Sequence, residues 1–179
     1  MKTLAAEKGD PMSQALTAID PSINHIALAH LSEGRIVEAT TIHTKAKGDA
    51  RYEEITDRVW LTLTRYHRDD NFISFPVIIE YPDSWHRDNV KDLLKLTTAI
   101  GCIHATAILL DHEVHLIGVK KWKGTKSKAT TARELEMMGY DLKTLKWNEH
   151  ERDAARLALW AEGWLRMSNR KELQDENNS

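Results

Sequence analysis

A short apolar segment, Val77–Tyr81, most constrains how this chain can fold. Its first three residues are branched and apolar without polar alternation, a pattern typical of a strand that is covered on both faces. Before this segment, apolar residues recur at helical spacing across Ala50–His67. A helix at that position can carry the chain back to a strand that runs parallel to an earlier one. The sequence therefore predicts an α/β fold in which helices flank a sheet.

Strand and helix signals on either side extend this prediction to a whole sheet. Three strands are predicted first, at Ala15–Asp20, Ile26–Leu31 and Arg35–His43. Their connectors are too short for crossovers, so these strands should form an antiparallel meander. The later predicted elements are a helix at about Asp88–Ile100, a strand at Val114–Val119, a helix at Lys128–Met138 and a helix at Glu149–Met167. The result is a five-stranded mixed sheet, three antiparallel strands and then two parallel ones, flanked by helices.

Length and charge limit the class of protein. The 179 residues suit one domain, predicted at 15–167, with a flexible polar arm at 1–14 and a flexible polar tail at 168–179. The formal net charge is −2, so any affinity for nucleic acid must come from a local basic patch. The lone Cys102 is interpreted as a small buried apolar residue. No leader-like segment or membrane-length apolar run is evident, so a cytoplasmic protein without a membrane partner is expected.

Three acidic residues, Asp20, Glu80 and Asp153, end or interrupt apolar segments. Burying a carboxylate is costly unless a cation compensates it, and a shared divalent metal would be such a cation. If the first and fourth strands are parallel neighbours, Asp20 and Glu80 lie at the same edge of the sheet, on strands about 4.8 Å apart. Oxygen ligands suit Mg²⁺ or Mn²⁺, and a pair of such ions drives in-line phosphoryl displacement. Simpler interpretations are a turn for Asp20 and an exposed strand end for Glu80.

The start of the last predicted helix adds a fourth candidate ligand, His150. Asn148 and Glu151 have the spacing of a capping box, which explains acidic residues in the first turn. Asp153 lies deeper, next to a face of small residues, and His150 precedes it by one helical turn and projects the same way. The alternatives are a surface ion pair between Asp153 and Arg156 and simple packing of His150 beside the helix cap.

A cluster of lysines separates the last predicted strand from the helix that follows it. Gly124 within the cluster can bring the backbone close to a phosphate, so a phosphate-gripping loop is predicted, with a solvated loop as the alternative. Tyr81 and Trp85 are candidates to stack on or wedge between bases, with core packing as the alternative for Trp85. The other tryptophans considered are assigned to the core: Trp60, Trp147, Trp160 and Trp164. The lysines are Lys120, Lys121, Lys123, Lys126 and Lys128.

An ordered set of motifs spans about Ala15 to Leu165. The motifs are Asp20-Pro21-Ser22, Glu80, Leu94-Lys95-Leu96 closing at Gly101, Trp122-Lys123-Gly124-Thr125 with Lys128, and His150-Glu151-Arg152-Asp153-Ala154. In this combination and order the chain resembles the RuvC family of Holliday-junction resolvases, within the RNase H-like superfamily. It departs from the family at Ser22, where many relatives have Gly, and at the Tyr-Pro-Asp-Ser-Trp sequence after Glu80, which bears on substrate preference.

The resemblance implies an RNase H-like nuclease domain and assigns roles to the candidate residues. Asp20, Glu80 and Asp153 match the metal-binding carboxylates of the family, and His150 matches its fourth position, which is Asp or His. The expected protein is a homodimer that cuts branched DNA with two Mg²⁺ or Mn²⁺ ions. Two alternatives remain: a module of the same fold that binds branched DNA without cutting it, and an RNase H-type enzyme that cuts RNA in hybrids.

Overall fold

The computed structural model describes residues 15–69, 74–82, 90–124 and 127–176. The strands are β1 (Leu16–Pro21), β2 (His25–Ser32), β3 (Arg35–His43), β4 (Val77–Tyr81) and β5 (Val114–Gly118). The helices are α1 (Ala50–Asp69), α2 (Val90–Leu109), α3 (Val119–Trp122), α4 (Lys128–Met137), α5 (Leu142–Leu145) and α6 (Glu149–Glu176). The short helices α3 and α5 were not predicted, and α6 continues past the predicted end at Met167.

The strands form one five-stranded mixed sheet in the order β3-β2-β1-β4-β5. Strands β1, β2 and β3 pair antiparallel, whereas β4 runs parallel to both β1 and β5. The β2–β3 hairpin turns through Glu33 and Gly34, whose φ angles of 51° and 74° match the two-residue turn that suits the twist of paired strands. The predicted fold class, a meander followed by two parallel strands, is confirmed.

Helices cover both faces of the sheet, and side-chain alternation along the strands separates two apolar cores. Ile19 of β1 and Ile79 of β4 face α1 and α2 and are fully buried. Their neighbours Ala18 and Ile78 face the opposite way, toward α6. The core below α6 is completed by small residues of that helix, Ala154, Ala155, Ala158 and Ala161, all fully buried.

Strand β3 contains one extra residue. The pairing of β2 with β3 shifts between His30 and Leu31, so that Leu31 pairs with Ile36 while His30 pairs with Glu38. Val37 is left without a partner in the ladder and is 61% exposed. A bulge of this kind changes which face the following residues of the strand occupy. As a result, Thr41 lies on the α6 side, where its hydroxyl bonds to that helix.

Helix α2 is longer than predicted, since it continues through Gly101 and ends at Leu109 instead of Ile100. A Cβ atom at position 101 would meet no atom of the described residues within 4 Å beyond the adjacent backbone of its own helix, so glycine there neither ends the helix nor is required by packing among these residues. By length and composition alone α2 could cross a membrane, a test that helices in the cores of soluble proteins also pass. Trp60 of α1, assigned to the core from the sequence, is 40% exposed, so that assignment was wrong.

Candidate active site at the carboxyl edge of the sheet

Asp20 and Glu80 lie on one face of two neighbouring parallel strands. The register pairs Ile19 with Ile79, so the next residue on each strand projects to the opposite face, toward α6. The Asp20 side chain is only 12% exposed, and Glu80 is partly buried. The interpretation of Asp20 as a turn residue and of Glu80 as an exposed strand end is therefore wrong. Each residue belongs to a strand, and its carboxylate lies on the face of the sheet that α6 covers.

The first turn of α6 is fixed above these two carboxylates. The predicted capping box forms: the Glu151 N–H donates to Oδ1 of Asn148 at 2.9 Å, and the Asn148 N–H donates to Oε2 of Glu151 at 2.9 Å. The hydroxyl of Thr41 in β3 also donates to Oε1 of Glu151, at 2.9 Å. These bonds tie the helix start to the sheet, and the small-residue face of α6 allows a close approach. His150 and Asp153 are thereby brought to the carboxyl edge of β1 and β4.

Each of the four predicted site residues contacts another protein group. Nδ1 of His150 lies 3.2 Å from Oδ2 of Asp20. The indole N–H of Trp122 donates to Oε2 of Glu80 at 3.0 Å. The ammonium of Lys123 forms an ion pair with Oδ2 of Asp153. The contacts to Glu80 and Asp153 come from adjacent residues, since Trp122 is the last residue of α3 and Lys123 follows it.

The surface ion pair considered for Asp153 does not form. Arg156 instead pairs with Glu134 of α4, with Nε 2.7 Å from Oε2. Asp153 is only 9% exposed. Its side chain contacts Lys123 and is shielded from solvent. The sequence could not show whether Arg156 pairs with Asp153 or with a residue of another helix, because Arg156 lies one turn from Asp153 in both cases.

The three carboxylates form one electrostatic cluster. The pKa of Glu80 is raised to about 7, mainly by burial and also by the nearby charges of Asp20 and Asp153, while the charge of Lys123 and the hydrogen bond from Trp122 oppose the rise. Burial disfavours the charged form of a carboxyl group, and like charges close to it add to the rise in its pKa. Perturbed groups of this kind mark functional sites more often than other parts of a protein surface.

Three histidine rings line the same end of the sheet. The rings of His25 and His150 stack with centroids 5.8 Å apart, and His43 meets His25 edge-on at 4.9 Å. The hydrogen bond to Asp20 raises the pKa of His150, with the charges of Asp20, Glu149 and Asp153 adding to it and burial opposing it. Burial lowers the pKa of His25, as do the neighbouring rings of His43 and His150. Of His25 and His150, the ring of His150 beside Asp20 therefore holds a proton more readily.

A divalent metal fits the chemistry of this donor set. Asp20, Glu80 and Asp153 offer carboxylate oxygens from three separate elements, and His150 offers a ring nitrogen. A cation among them would compensate the buried charge of Glu80 and the repulsion from its neighbours, which together raise its pKa. As the side chains stand, no group of three His, Cys, Asp or Glu residues in the described part of the chain is arranged to hold a metal ion. Lys123, Trp122 and hydrogen-bonded His150 instead satisfy the carboxylate oxygens.

The predicted lysine cluster is spread over different contacts. Lys121 places its ammonium 4.4 Å from the ring centroid of Trp164, and Lys128 pairs with Glu149 at 2.7 Å. Lys123 is paired with Asp153, a predicted metal ligand. Lys120 is exposed on α3. Lys126 lies outside the described residues.

The two aromatic residues predicted to contact bases have different outcomes. Tyr81 packs against the core on the α1 and α2 side of the sheet, opposite the face that carries Glu80. Its predicted contact with DNA is therefore not supported by proximity to the carboxylates. Trp85 lies outside the described residues, and its role stays a prediction. Trp160 and Trp164 stack with centroids 6.0 Å apart and pack against the core below α6, as the sequence indicated.

Sequence reasoning missed three residues of the site: Trp122, His25 and His43. Trp122 was seen only as part of a motif, because nothing local indicates that its indole reaches a strand. His25 begins β2 and pairs with His43 in the ladder. Counting back from the hairpin turn without the bulge would have paired His25 with Ile42 instead, so the contact between the two rings was hidden by one irregular residue.

The order of the strands and the placement of the helices identify the fold. A mixed five-stranded sheet of this order, with helices on both faces and acidic residues at the ends of β1 and β4, is the RNase H-like fold in its RuvC form. The chain is similar to T. thermophilus RuvC in complex with a Holliday junction substrate, with 22% identity, a TM-score of 0.69, and coverage of 87% of this chain and 96% of that one. No protein-family model and no curated protein matches the chain.

Two further solved structures share this fold. Thermus thermophilus RuvC alone gives a TM-score of 0.64 at 21% identity, covering 86% of this chain and 96% of that chain. The yeast mitochondrial Holliday junction resolvase Ydc2 gives a TM-score of 0.54 at 15% identity, covering 87% of this chain and 79% of that chain. The RuvC-like fold expected from the motifs is therefore confirmed.

Proposed function

We propose that this protein is a metal-dependent, structure-selective endonuclease that cuts Holliday or related branched DNA junctions. The observation that carries the proposal is the convergence of Asp20, Glu80 and Asp153 in one cluster whose charges act on each other. The same fold is found in solved Holliday-junction resolvases. Fold alone does not decide function, so the cluster of acidic groups is the stronger support.

The site residues have distinct roles in the proposed hydrolysis of a phosphodiester. Two Mg²⁺ or Mn²⁺ ions would supply an activated water and stabilise the leaving oxygen of an in-line displacement. Asp20 and Glu80 would hold them from the sheet, and Asp153 and His150 would hold them from α6. The small residues that pack α6 against the sheet keep these ligands on rigid elements, which favours a fixed geometry over a flexible loop.

Cations around the cluster would bind the DNA backbone. Lys123 pairs with Asp153, and Lys128 at the start of α4 pairs with Glu149, while Lys120 and Lys121 lie on the adjoining α3. A cleft of about 140 Å³ beside Asp153 is lined by Lys128, Ala129, Ala132, Glu149 and Arg152. Positive side chains and the first turns of α4 and α6 meet there, an arrangement that attracts phosphate groups. A chain with a net charge of −2 would use this local concentration of cations to bind DNA.

A homodimer forms part of the proposal, because a four-way junction presents two symmetric strands to cut. Helix α2 offers a surface for a second copy of the chain. Its exposed residues include an uncharged stripe with alternating spacings of four and three, the pattern of helices that pair with each other. The stripe consists of Leu94, Thr98, Gly101, Ala105 and Ile108. Light scattering should then report about two chains of 20.5 kDa, and Ala105→Glu should give a monomer.

The decisive experiment compares substrates under matched metal conditions. A synthetic four-way junction, a flap, a linear duplex and an RNA–DNA hybrid are each incubated with Mg²⁺, Mn²⁺ or EDTA. We expect metal-dependent nicks placed symmetrically across the junction, and their loss in Asp20→Asn, which keeps the size of the side chain but removes its charge. Tight junction binding without cleavage in any metal would favour the binding module, and preferential cleavage of the hybrid would favour the RNase H-type enzyme.

A further inference from the structure

Lys123 occupies a central position in the carboxylate cluster. Its side chain is 17% exposed, and its partner Asp153 is 12% exposed, so the ion pair is largely shielded from water. The ammonium also lies 5.4 Å from the ring centroid of Trp122, whose indole donates to Glu80. Through its charge Lys123 opposes the rise in the pKa of Glu80. One ammonium thus interacts with two of the three carboxylates of the site.

The backbone fixes this placement. The N–H of Lys123 donates to the carbonyl of Val119 at 2.9 Å, which closes the single turn of α3. Because α3 follows β5 directly, Trp122 and Lys123 are held at the carboxyl edge of the sheet. Gly124, with φ of 58°, then turns the chain away in a conformation that other residues rarely adopt. Lys123 is therefore positioned by secondary structure and not only by its attraction to Asp153.

We propose that Lys123 is an internal counter-ion that competes with divalent metal for Asp153. Without metal, its ammonium neutralises Asp153 and reduces the repulsion within the cluster. When metal binds, the ammonium leaves Asp153 and becomes available to a phosphate of the DNA. Lys123 is in this sense a positioning residue, which acts through Asp153, and the inference rests on the metal-dependent function proposed above.

The neighbouring lysines provide matched comparisons. Lys121 lies two residues away, but its ammonium is over the ring of Trp164 and not at a carboxylate. Lys128 pairs with Glu149 and is exposed, so water screens that pair more strongly. Of Lys121, Lys123 and Lys128, Lys123 combines a shielded ion pair with a proposed metal ligand, so its replacement should change metal affinity more strongly than replacement of Lys121 or Lys128.

The test measures metal binding directly and needs no DNA. Mn²⁺ is titrated by calorimetry into the wild-type protein, Lys123→Met, Lys123→Arg and Lys121→Met, and each protein is melted with and without metal. Lys123→Met should bind Mn²⁺ about tenfold more tightly than wild type, since a competing charge has been removed. It should also melt at a lower temperature than wild type in EDTA. Lys123→Arg, which keeps the charge, and Lys121→Met should bind like wild type.

A second measurement uses the wild-type chain, so it does not depend on whether Lys123→Met folds. An amine-acylating reagent is applied with and without Mg²⁺, and the labelled lysines are identified by mass spectrometry. Lys123 should be protected in EDTA and labelled several-fold faster with Mg²⁺, while labelling of Lys121 stays constant. Equal Mn²⁺ affinity in wild type and Lys123→Met, or labelling of Lys123 that does not respond to bound Mg²⁺, would overturn the proposal. Junction cleavage would then still support the endonuclease function, so the two failures are distinguishable.

Discussion

The two faces of the sheet come from the same strands but carry different chemistry. Toward α1 and α2 the strands present large apolar residues such as Ile19 and Ile79, and a polar pair within that face, Thr17 and His30, makes its own hydrogen bond at 2.9 Å. Toward α6 they present Asp20 and Glu80 beside small apolar residues. The face toward α1 and α2 is packed with apolar side chains, whereas the face toward α6 also contains charged side chains. Substitutions on the two faces should therefore affect different properties.

The largest expected effect is on cleavage, from Glu80→Gln. The amide keeps the size of the side chain but removes the charge proposed to hold metal, so cleavage should fall about 1000-fold, or ~4 kcal/mol in the activation free energy. Folding should be retained, because the change removes a carboxylate that burial disfavours. Single-turnover cleavage of a labelled junction and a binding assay under the same conditions measure the two effects. Cleavage near the wild-type rate with saturating metal would remove Glu80 from the site.

The adjacent residue on the same strand gives the opposite result in Ile79→Ala. This side chain is fully buried on the α1 and α2 face, so its truncation should lower the free energy of unfolding by about 3 kcal/mol through lost burial and a cavity. Cleavage per folded molecule should stay close to wild type. Urea unfolding followed by circular dichroism tests the first effect. A loss of cleavage without a loss of stability would show that the two faces are not separable.

The charged face should also make metal-free stability depend on pH. The pKa of Glu80 rises from 4.5 to about 7 on folding, so its contribution to stability is lost as pH rises through that window, by at most about 3 kcal/mol. The raised pKa of His150 acts with the same sign, since the stability that it adds is present below pH ~6.5 and is lost as pH rises through the folded value.

Unfolding of wild type and Glu80→Gln in EDTA from pH 4.5 to 8 isolates the Glu80 effect. Wild type should lose stability relative to the variant as pH increases, whereas groups far from the site contribute equally to both proteins. Parallel pH curves for the two proteins would mean that the pKa of Glu80 is not raised in the folded chain.

The smallest effect concerns the choice of metal. Imidazole nitrogen is better tolerated by Mn²⁺ than by Mg²⁺, so His150→Asp should shift the ratio of Mn²⁺- to Mg²⁺-supported cleavage a few-fold toward Mg²⁺. The acid limb of the pH dependence should also move lower, since a carboxylate loses its proton below the histidine range. Titration of both metals for both proteins measures this. An unchanged ratio would mean that His150 only packs beside the helix cap, as the simpler interpretation held.

Much of the fold could be predicted because its signals are local. The apolar run of β4, the short connectors of the meander and the capping box at Asn148 each follow from neighbouring residues. The juxtaposition of Asp20 and Glu80 followed from one further step, that parallel neighbours end at the same edge. The predicted end of α2 was wrong because Gly101 was taken as a stop, although an exposed glycine within a helix costs only about 1 kcal/mol.

The contacts within the site could not be predicted in the same way. Lys123 was grouped with its neighbours as a phosphate-binding residue, because sequence alone does not distinguish a lysine that points inward from one that points outward. The bond from Trp122 to Glu80 joins residues far apart in sequence through a four-residue helix too short to leave a periodic signal. The sequence thus indicated that Asp20, Glu80 and His150 lie near one another, but it did not indicate the protein groups that contact the carboxylates.

Because Val37 lies outside the β2–β3 ladder, it also determines which insertions and deletions strand β3 can accept. Ala39, Thr41 and His43 lie on the α6 side only because one residue before them stays outside the ladder. An in-frame deletion of codon 37 would leave a regular strand with the same three side chains facing α6. An in-frame insertion at that point, if absorbed into the ladder, would turn His43 away from His25. Strand β3 should therefore tolerate the deletion of one residue at position 37 more readily than the insertion of one.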